Sequence, residues 1–236
     1  MNMSMKRIQA IFIKDYKEFS RNYAVSVMVL LPPLLAFLYN KMGAETMQSY
    51  FIPINTTLAM VTAFIQCCLI AEEKENNTLR SLTMSPASVA DILIGKSSLV
   101  FSITAITLAL SIYLVDYEPA NIIVLMLALA ISTVFYIALG TICGLYTKTV
   151  MEATITVMPV VIVFLVGSLA SGFSDKFPIL AVAEWLPSSQ IILLAEALEV
   201  AAPAKGLIVP FVVMIAWTVL ALVVTTVLYK KRMTDD

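Results

Sequence analysis

Six apolar stretches constrain this chain more than any other feature: Tyr23–Tyr39, Phe51–Ala71, Ser97–Leu114, Ile122–Tyr146, Ala153–Ser171 and Ile208–Tyr229. A helix crossing a ~30 Å hydrocarbon layer needs about 20 mostly apolar residues, and these stretches qualify, some only marginally. In lipid every backbone group must be satisfied within the segment, which selects helices. The runs are too long and continuous for barrel strands, which alternate inward and outward over about ten residues. Composition agrees: 60% of the 236 residues are hydrophobic and 13% charged, against roughly half and a quarter in soluble domains. The expected fold is an all-α integral membrane protein with six transmembrane helices.

Lysine and arginine set the orientation. With both termini cytoplasmic, twelve of the 15 basic residues lie inside, while Lys41, Lys176 and Lys205 lie outside. The basic N-terminus leads into a polar amphipathic stretch instead of an apolar signal region, so no cleavable signal is expected. A net charge of −1 gives no sign of nucleic-acid binding. Cys67, Cys68 and Cys143 fall inside apolar helices, and the chain has no histidine. Neither a disulfide framework nor a metal site is expected.

One domain over residues 1–236 is expected, with three additions to the spans. At 3–20, Ile8, Ile11, Phe12, Tyr16 and Phe19 recur at helical spacing, with Lys6, Arg7, Lys14, Lys17 and Arg21 mostly elsewhere on the wheel. This pattern predicts an amphipathic helix lying at the membrane interface. Residues 72–96 form a polar cytoplasmic segment. At 172–207, the runs Phe177–Leu186 and Ile191–Ala202 are too short to cross and predict an external re-entrant helical hairpin. Ser188 or Ser189 could cap its second helix. Glu184, Glu196 and Glu199 supply its polar positions and Trp185 suits an interface, which makes these four a candidate outer gate.

Within the spans, Pro32-Pro33 predict a kink that serves as a hinge, a widening of a cavity or nothing beyond tolerance. Thr62 and Gln66 are candidate pathway residues, since polar groups inside a membrane are functional candidates, and Gln66 equally suits interhelical bonding. Glu152 reads as a boundary residue. Gly140 and Gly144 form a G-x-x-x-G pair that permits close helix packing.

The segment Glu72–Ser88, EEKENNTLRSLTMSPAS, interrupts two apolar stretches with a density of charge that a passive linker does not need. Asn76-Asn77 favour a turn. Thr78 can N-cap a short helix over Leu79–Met84, which Pro86 ends. Leu79 and Leu82 share one face, and such an apolar edge flanked by charge fits a partner's groove. Downstream, Ala90–Ser97 approximates the phosphate-binding loop G-x-x-x-x-G-K-[ST]. Its first glycine is Ala90, and no buried strand precedes it, so Lys96 is expected at the cytoplasmic mouth of the third span instead of on a phosphate.

Glu73-Lys74-Glu75, Thr78-Leu79, Leu82, Pro86, Ser88 and Gly95-Lys96 resemble the E-[RK]-E-x-G-T-L-x-x-L-x-x-x-P-x-S…G-K signature of ABC-2 type (type V) exporter permeases. Asn77 stands where that family usually has glycine; asparagine tolerates the left-handed turn. The plan of interfacial helix, six spans and late hairpin is similar over essentially the whole chain. The resemblance implies a bacterial plasma-membrane permease that binds no cofactor and is not itself an enzyme. ATP and Mg would sit on a separate cytoplasmic ATPase subunit in two copies. A second permease, identical or a paralogue, would complete the transporter. Glu72, Glu73, Lys74, Glu75, Thr78, Leu79, Leu82, Pro86 and Ser88 would couple it to the ATPase. Cargo would pass between the two permeases along helices one, two and five; mostly apolar spans favour an amphipathic or hydrophobic cargo such as an antimicrobial peptide, lantibiotic, drug or lipid-like molecule. The alternatives are an ATP-independent secondary transporter or channel, and a non-transporting immunity or sensor subunit. The first usually carries repeated halves or midplane charge, neither of which is found.

Overall fold

A computed structural model describes residues 3–76, 89–171 and 178–235, and the regular structure among them is helical throughout. The helices are α1 (Met3–Arg21), α2 (23–41), α3 (Met47–Glu75), α4 (Val89–Val115), α5 (Ile122–Tyr146), α6 (Val150–Ser171), α7 (Pro187–Glu199) and α8 (Ala204–Asp235), with a 3-10 helix at Pro178–Trp185 before α7. Five of them, α3, α4, α5, α6 and α8, are long and apolar enough to cross a membrane.

The remaining apolar stretch forms α2, which is not continuous. A turn of α-helix at Tyr23–Ser26 passes into a 3-10 segment, Val27–Leu30, and then into α-helix over Leu31–Lys41. Pro32 and Pro33 lie in the first turn of that last piece and are buried. A first-turn position needs no N–H donor, so the prolines start a helix here and the irregularity falls just before them.

The bundle is built around α3. Its apolar stretch is 94% buried, against 22% for α8 at the perimeter. Pro53 lies inside α3, and the helix widens to π geometry over Thr57–Thr62. The threonine hydroxyls take up carbonyls nearby: Thr57 Oγ1 donates to Pro53 O at 2.9 Å and Thr62 Oγ1 to Thr57 O at 3.2 Å. The glycine pair on α5 is spent within the subunit. A Cβ at Gly140 would collide with the Ala63 carbonyl, and one at Gly144 would stand 2.7 Å from Ile70 Cβ, so bare backbone lets α5 lie against α3.

The hairpin region differs from expectation in detail. Its second arm starts at Pro187, and neither serine caps it; the N-cap is Leu186, with no side-chain bond. Proline takes the first helical position, which pushes both serines into the first turn. Ser189 Oγ instead donates to Ala183 O at 2.7 Å, and Ser188 O accepts from Asn55 Nδ2 at 3.2 Å. Asn55 is eight residues into α3, about 12 Å along its axis. Pro187–Ile192, Leu194 and Ala195 are buried, so this arm is packed into the bundle.

Candidate functional site: a charged joint where α3 ends

α3 stops at Glu75, with Asn76 at φ −83° and ψ 1°, as the asparagine pair predicts. Thr78, Leu79, Leu82, Pro86 and Ser88, with the short helix expected over them, lie outside the described residues. The four charges that lead into them are described, and they divide between two sides of the end of α3.

Glu73 is 1% exposed, and its Oε1 receives Lys14 Nζ at 2.8 Å and Lys96 Nζ at 2.9 Å. Lys96 is fully buried, with its ammonium also 3.4 Å from both carboxylate oxygens of Asp15, itself fully buried. Lys14 reaches on to Glu18 at 3.4 Å. One knot of charge therefore ties α1, α3 and α4 together, and Arg7 meets Asp91 at 3.7 Å further along the same contact. Gly95 makes the approach feasible: a Cβ there would sit 2.9 Å from Ile11 Cβ, so α1 rests on the bare backbone of α4.

The charges feel their enclosure. Burial pushes the Asp15 carboxyl up to about 6; Lys96 opposes the shift and Glu73 reinforces it. Burial lowers Lys14, but its hydrogen bond to Glu73 and the carboxylates of Glu73, Glu18 and Asp15 outweigh that and hold it above its ordinary value.

Lys74 and Glu75 turn the other way. Lys74 Nζ donates to Leu145 O at 2.7 Å, at the C-terminal end of α5. Glu75 Oε2 accepts from Val150 N at 2.9 Å, at the first residue of α6. Each charge complements the helix end it meets. α6 is capped besides by its own residues: Thr149 Oγ1 accepts from Glu152 N at 3.2 Å, and Glu152 Oε2 from Lys148 N at 2.7 Å. Glu152 is thus an end-capping residue, as its boundary position suggests. Glu72 is half-buried on the side of the knot, where burial and the Glu18 carboxylate push its carboxyl up and Lys14 and Lys96 oppose the shift.

The expectation for Lys96 needs correction: it stands in the knot and not at an open mouth. The stretch from Val89 onward is helical, so the residues around Gly95 spend their N–H groups within α4 and form no phosphate cradle.

The other candidates do not join the joint. Thr62 Oγ1 meets Thr104 Oγ1 at 2.8 Å, linking α3 to α4, and Gln66 Nε2 donates to Thr141 Oγ1 at 2.9 Å, linking α3 to α5. Both are fully buried within the subunit. α2 and α6 keep exposed apolar faces, such as Leu30, Leu34, Ile155 and Ile162, whereas α3 keeps almost none. At the far end of the bundle Glu199 Oε1 accepts from Ala120 N at 3.3 Å and from Tyr117 OH at 3.4 Å. Trp185 is exposed and its carbonyl accepts from Trp217 Nε1 at 2.9 Å; the Glu184 carbonyl accepts from Gln190 Nε2 at 2.6 Å. Glu196 is exposed, and its partial burial pushes its carboxyl up. Trp185 and Glu199 therefore hold the hairpin to its neighbours, the Glu184 carbonyl ties its two arms to each other, and Glu196 is exposed.

Asp15 is the member of this joint that sequence reasoning passes over. The signal was present: Ile8, Ile11, Phe12 and Phe19 define an apolar stripe, and Asp15 sits in it. An acid in a buried stripe calls for a buried cation.

The family described as ABC-2 family transporter protein matches residues 2–229. A comparison with curated proteins finds no match.

Proposed function

The chain belongs to the ABC-2 transporter family and is the membrane permease subunit of an ABC transporter, and from that premise we propose that it is the ATP-driven, exporting kind. A separate cytoplasmic ATPase, in two copies, binds ATP and Mg. The segment after Glu75 docks on it through Leu79 and Leu82. The observation that carries this reading is the joint at Glu73–Glu75, which grips α1 and α4 on one side and the ends of α5 and α6 on the other. A displacement of the docked segment is thereby delivered to four helices at once.

In this reading the chain lies in the bacterial plasma membrane, crosses it six times with α2 as its shortest crossing, and keeps both termini in the cytoplasm. Two permeases, identical or paralogous, enclose the route. The exposed apolar faces of α2 and α6 border it, with α3 behind them; Thr62 and Gln66 come into play only as α3 shifts against α4 and α5. Pro32-Pro33 let α2 bend at its 3-10 segment. The cargo is amphipathic or hydrophobic. The hairpin carrying Glu184, Trp185, Glu196 and Glu199 closes the outer end and moves as cargo leaves.

The test is co-purification with the ATPase. Replacing Leu79 and Leu82 together by aspartate buries two unpaired carboxylates on the docking face, at a cost of several kcal/mol. The ATPase is expected to be lost while the permease still inserts. Retained co-purification, or the absence of any ATPase partner whose hydrolysis the permease stimulates, would overturn the reading.

A further inference from the structure

α4 and α5 are neighbours in sequence but touch over little of their length. Each leans on α3; α4 leans further on α1 and α2, and α5 on α8. Along the seam between them the side chains are small where bulk would close it, with Ala105 and Ala109 on α4 and Ala130 on α5. The seam is a groove of about 580 Å³, within the ~300–1,000 Å³ of small-molecule sites. Phe101, Leu108, Met126 and Leu129 give it apolar walls. At the end away from α1 the connecting loop sets Asp116 and Glu118 at its mouth, both exposed. No lysine or arginine lines it among the described residues. Beyond Phe101 a second gap of about 470 Å³ continues towards α1, lined in part by Ser97, Ser98 and Ser102.

We propose that the α4–α5 groove binds an amphiphile with an alkyl tail and an ammonium head, the tail along the alanine-lined seam and the head against Asp116 and Glu118. The tail is driven by removal of apolar surface from water. The head is selected by charge: two carboxylates in a groove that no base lines among the described residues attract a cation and repel an anionic head of equal tail length. Binding needs neither ATP nor a partner subunit. It is measured on the permease alone, and its failure is separate from failure of the ATPase reading.

The experiment uses the purified full chain in a neutral maltoside detergent. A diazirine-bearing alkyltrimethylammonium probe is compared with the alkyl sulfate of the same length, and labelled peptides are mapped by mass spectrometry. The cationic probe is expected to label 105–113 and 126–133, with the anionic probe labelling them several-fold less. Asp116→Asn with Glu118→Gln should reduce cationic labelling roughly fivefold, consistent with the modest strength of exposed charge pairs. Ala109→Trp should reduce labelling by both probes, since it fills the groove. Equal labelling of the wild type by both probes would mean a lipid-facing surface only and would overturn the proposal. So would a charge variant that labels as the wild type does. That variant lies in an exposed loop and carries the test by itself should the tryptophan variant not fold.

Discussion

Replacing Lys96 by methionine tests the joint directly. The Lys96 ammonium is fully buried, 2.9 Å from Glu73 and 3.4 Å from Asp15. At an effective dielectric constant of about 20, each contact is worth roughly 5 kcal/mol of attraction. Much of that offsets the cost of burying the charges, so the net effect of the pair is smaller. Removing the cation alone is different, because it takes away the buried ammonium that both Asp15 and Glu73 face. Breaking a buried pair in this way costs about 3–5 kcal/mol, which for a chain of this size lowers the Tm by roughly 10 °C. The assay is thermal melting of the detergent-solubilised permease, followed by size exclusion. Adding Asp15→Asn and Glu73→Gln to Lys96→Met removes the stranded carboxylates and should restore at least half of the lost Tm. Nucleotide affinity of the assembled complex should stay unchanged throughout. A Lys96→Met permease as stable as the wild type would refute the argument, and so would loss of ATP binding in a complex that still assembles.

Four further outcomes are expected. Gly144→Leu would drive a side chain into Ile70 and the Cys67 carbonyl and should destabilise by about 1–3 kcal/mol or more, read as a lower Tm with poor insertion. Burial raises the folded pKa of Asp15 to about 6, above its ordinary 3.8, so its contribution to stability is full at low pH and is lost as pH rises from about 4 through about 6; Lys14, Glu18, Glu73 and Lys96 face it, and Asp15→Asn should flatten that part of a Tm-against-pH curve. Glu75→Gln weakens the tie to the Val150 N–H and should lower permease-stimulated ATP hydrolysis more than ATPase co-purification; equal losses would place Glu75 in docking itself. A disulfide between cysteines introduced near Ser171 and Phe177 should block export, and normal export by the cross-linked protein would remove the hairpin from the gate.

Different parts of this protein were written into the sequence at different ranges. The spans are local: length and apolarity of Ile122–Tyr146 or Ile208–Tyr229 suffice, and α5 and α8 follow. The amphipathic N-terminal helix and the stop at Asn76 are local too. The continuity of α2 was not, because Pro32-Pro33 state that a helix is interrupted without stating on which side. The serine caps failed to a neighbour's stronger claim, since Pro187 suits the first helical position better than Ser188 or Ser189 suits the cap. The joint was half-readable. Its motif residues stood out as a signature, but their partners are far along the chain: Asp15 lies 81 residues from Lys96, and Lys74 lies 71 from Leu145. No spacing rule spans such separations; only the misplaced acid in the α1 stripe hinted at them. The α4–α5 groove left no trace, because it arises from how two helices lean.

The geometry of α3 also explains why the signature places its charges side by side. Successive residues on an α-helix project about 100° apart. Three in a row at a helix end sweep roughly 200°, so they cannot share a partner and must address different neighbours. Glu73 faces α1 and α4, while Lys74 and Glu75 face the ends of α5 and α6. The signs follow from what each meets. Glu73 meets two ammonium groups, Lys74 the carbonyl end of a helix, and Glu75 the amide end of the next. Reversing Lys74 and Glu75 would set an acid against a carbonyl and an amine against an N–H donor. The order glutamate, lysine, glutamate is therefore a consequence of α3 ending where one neighbour finishes and the next begins.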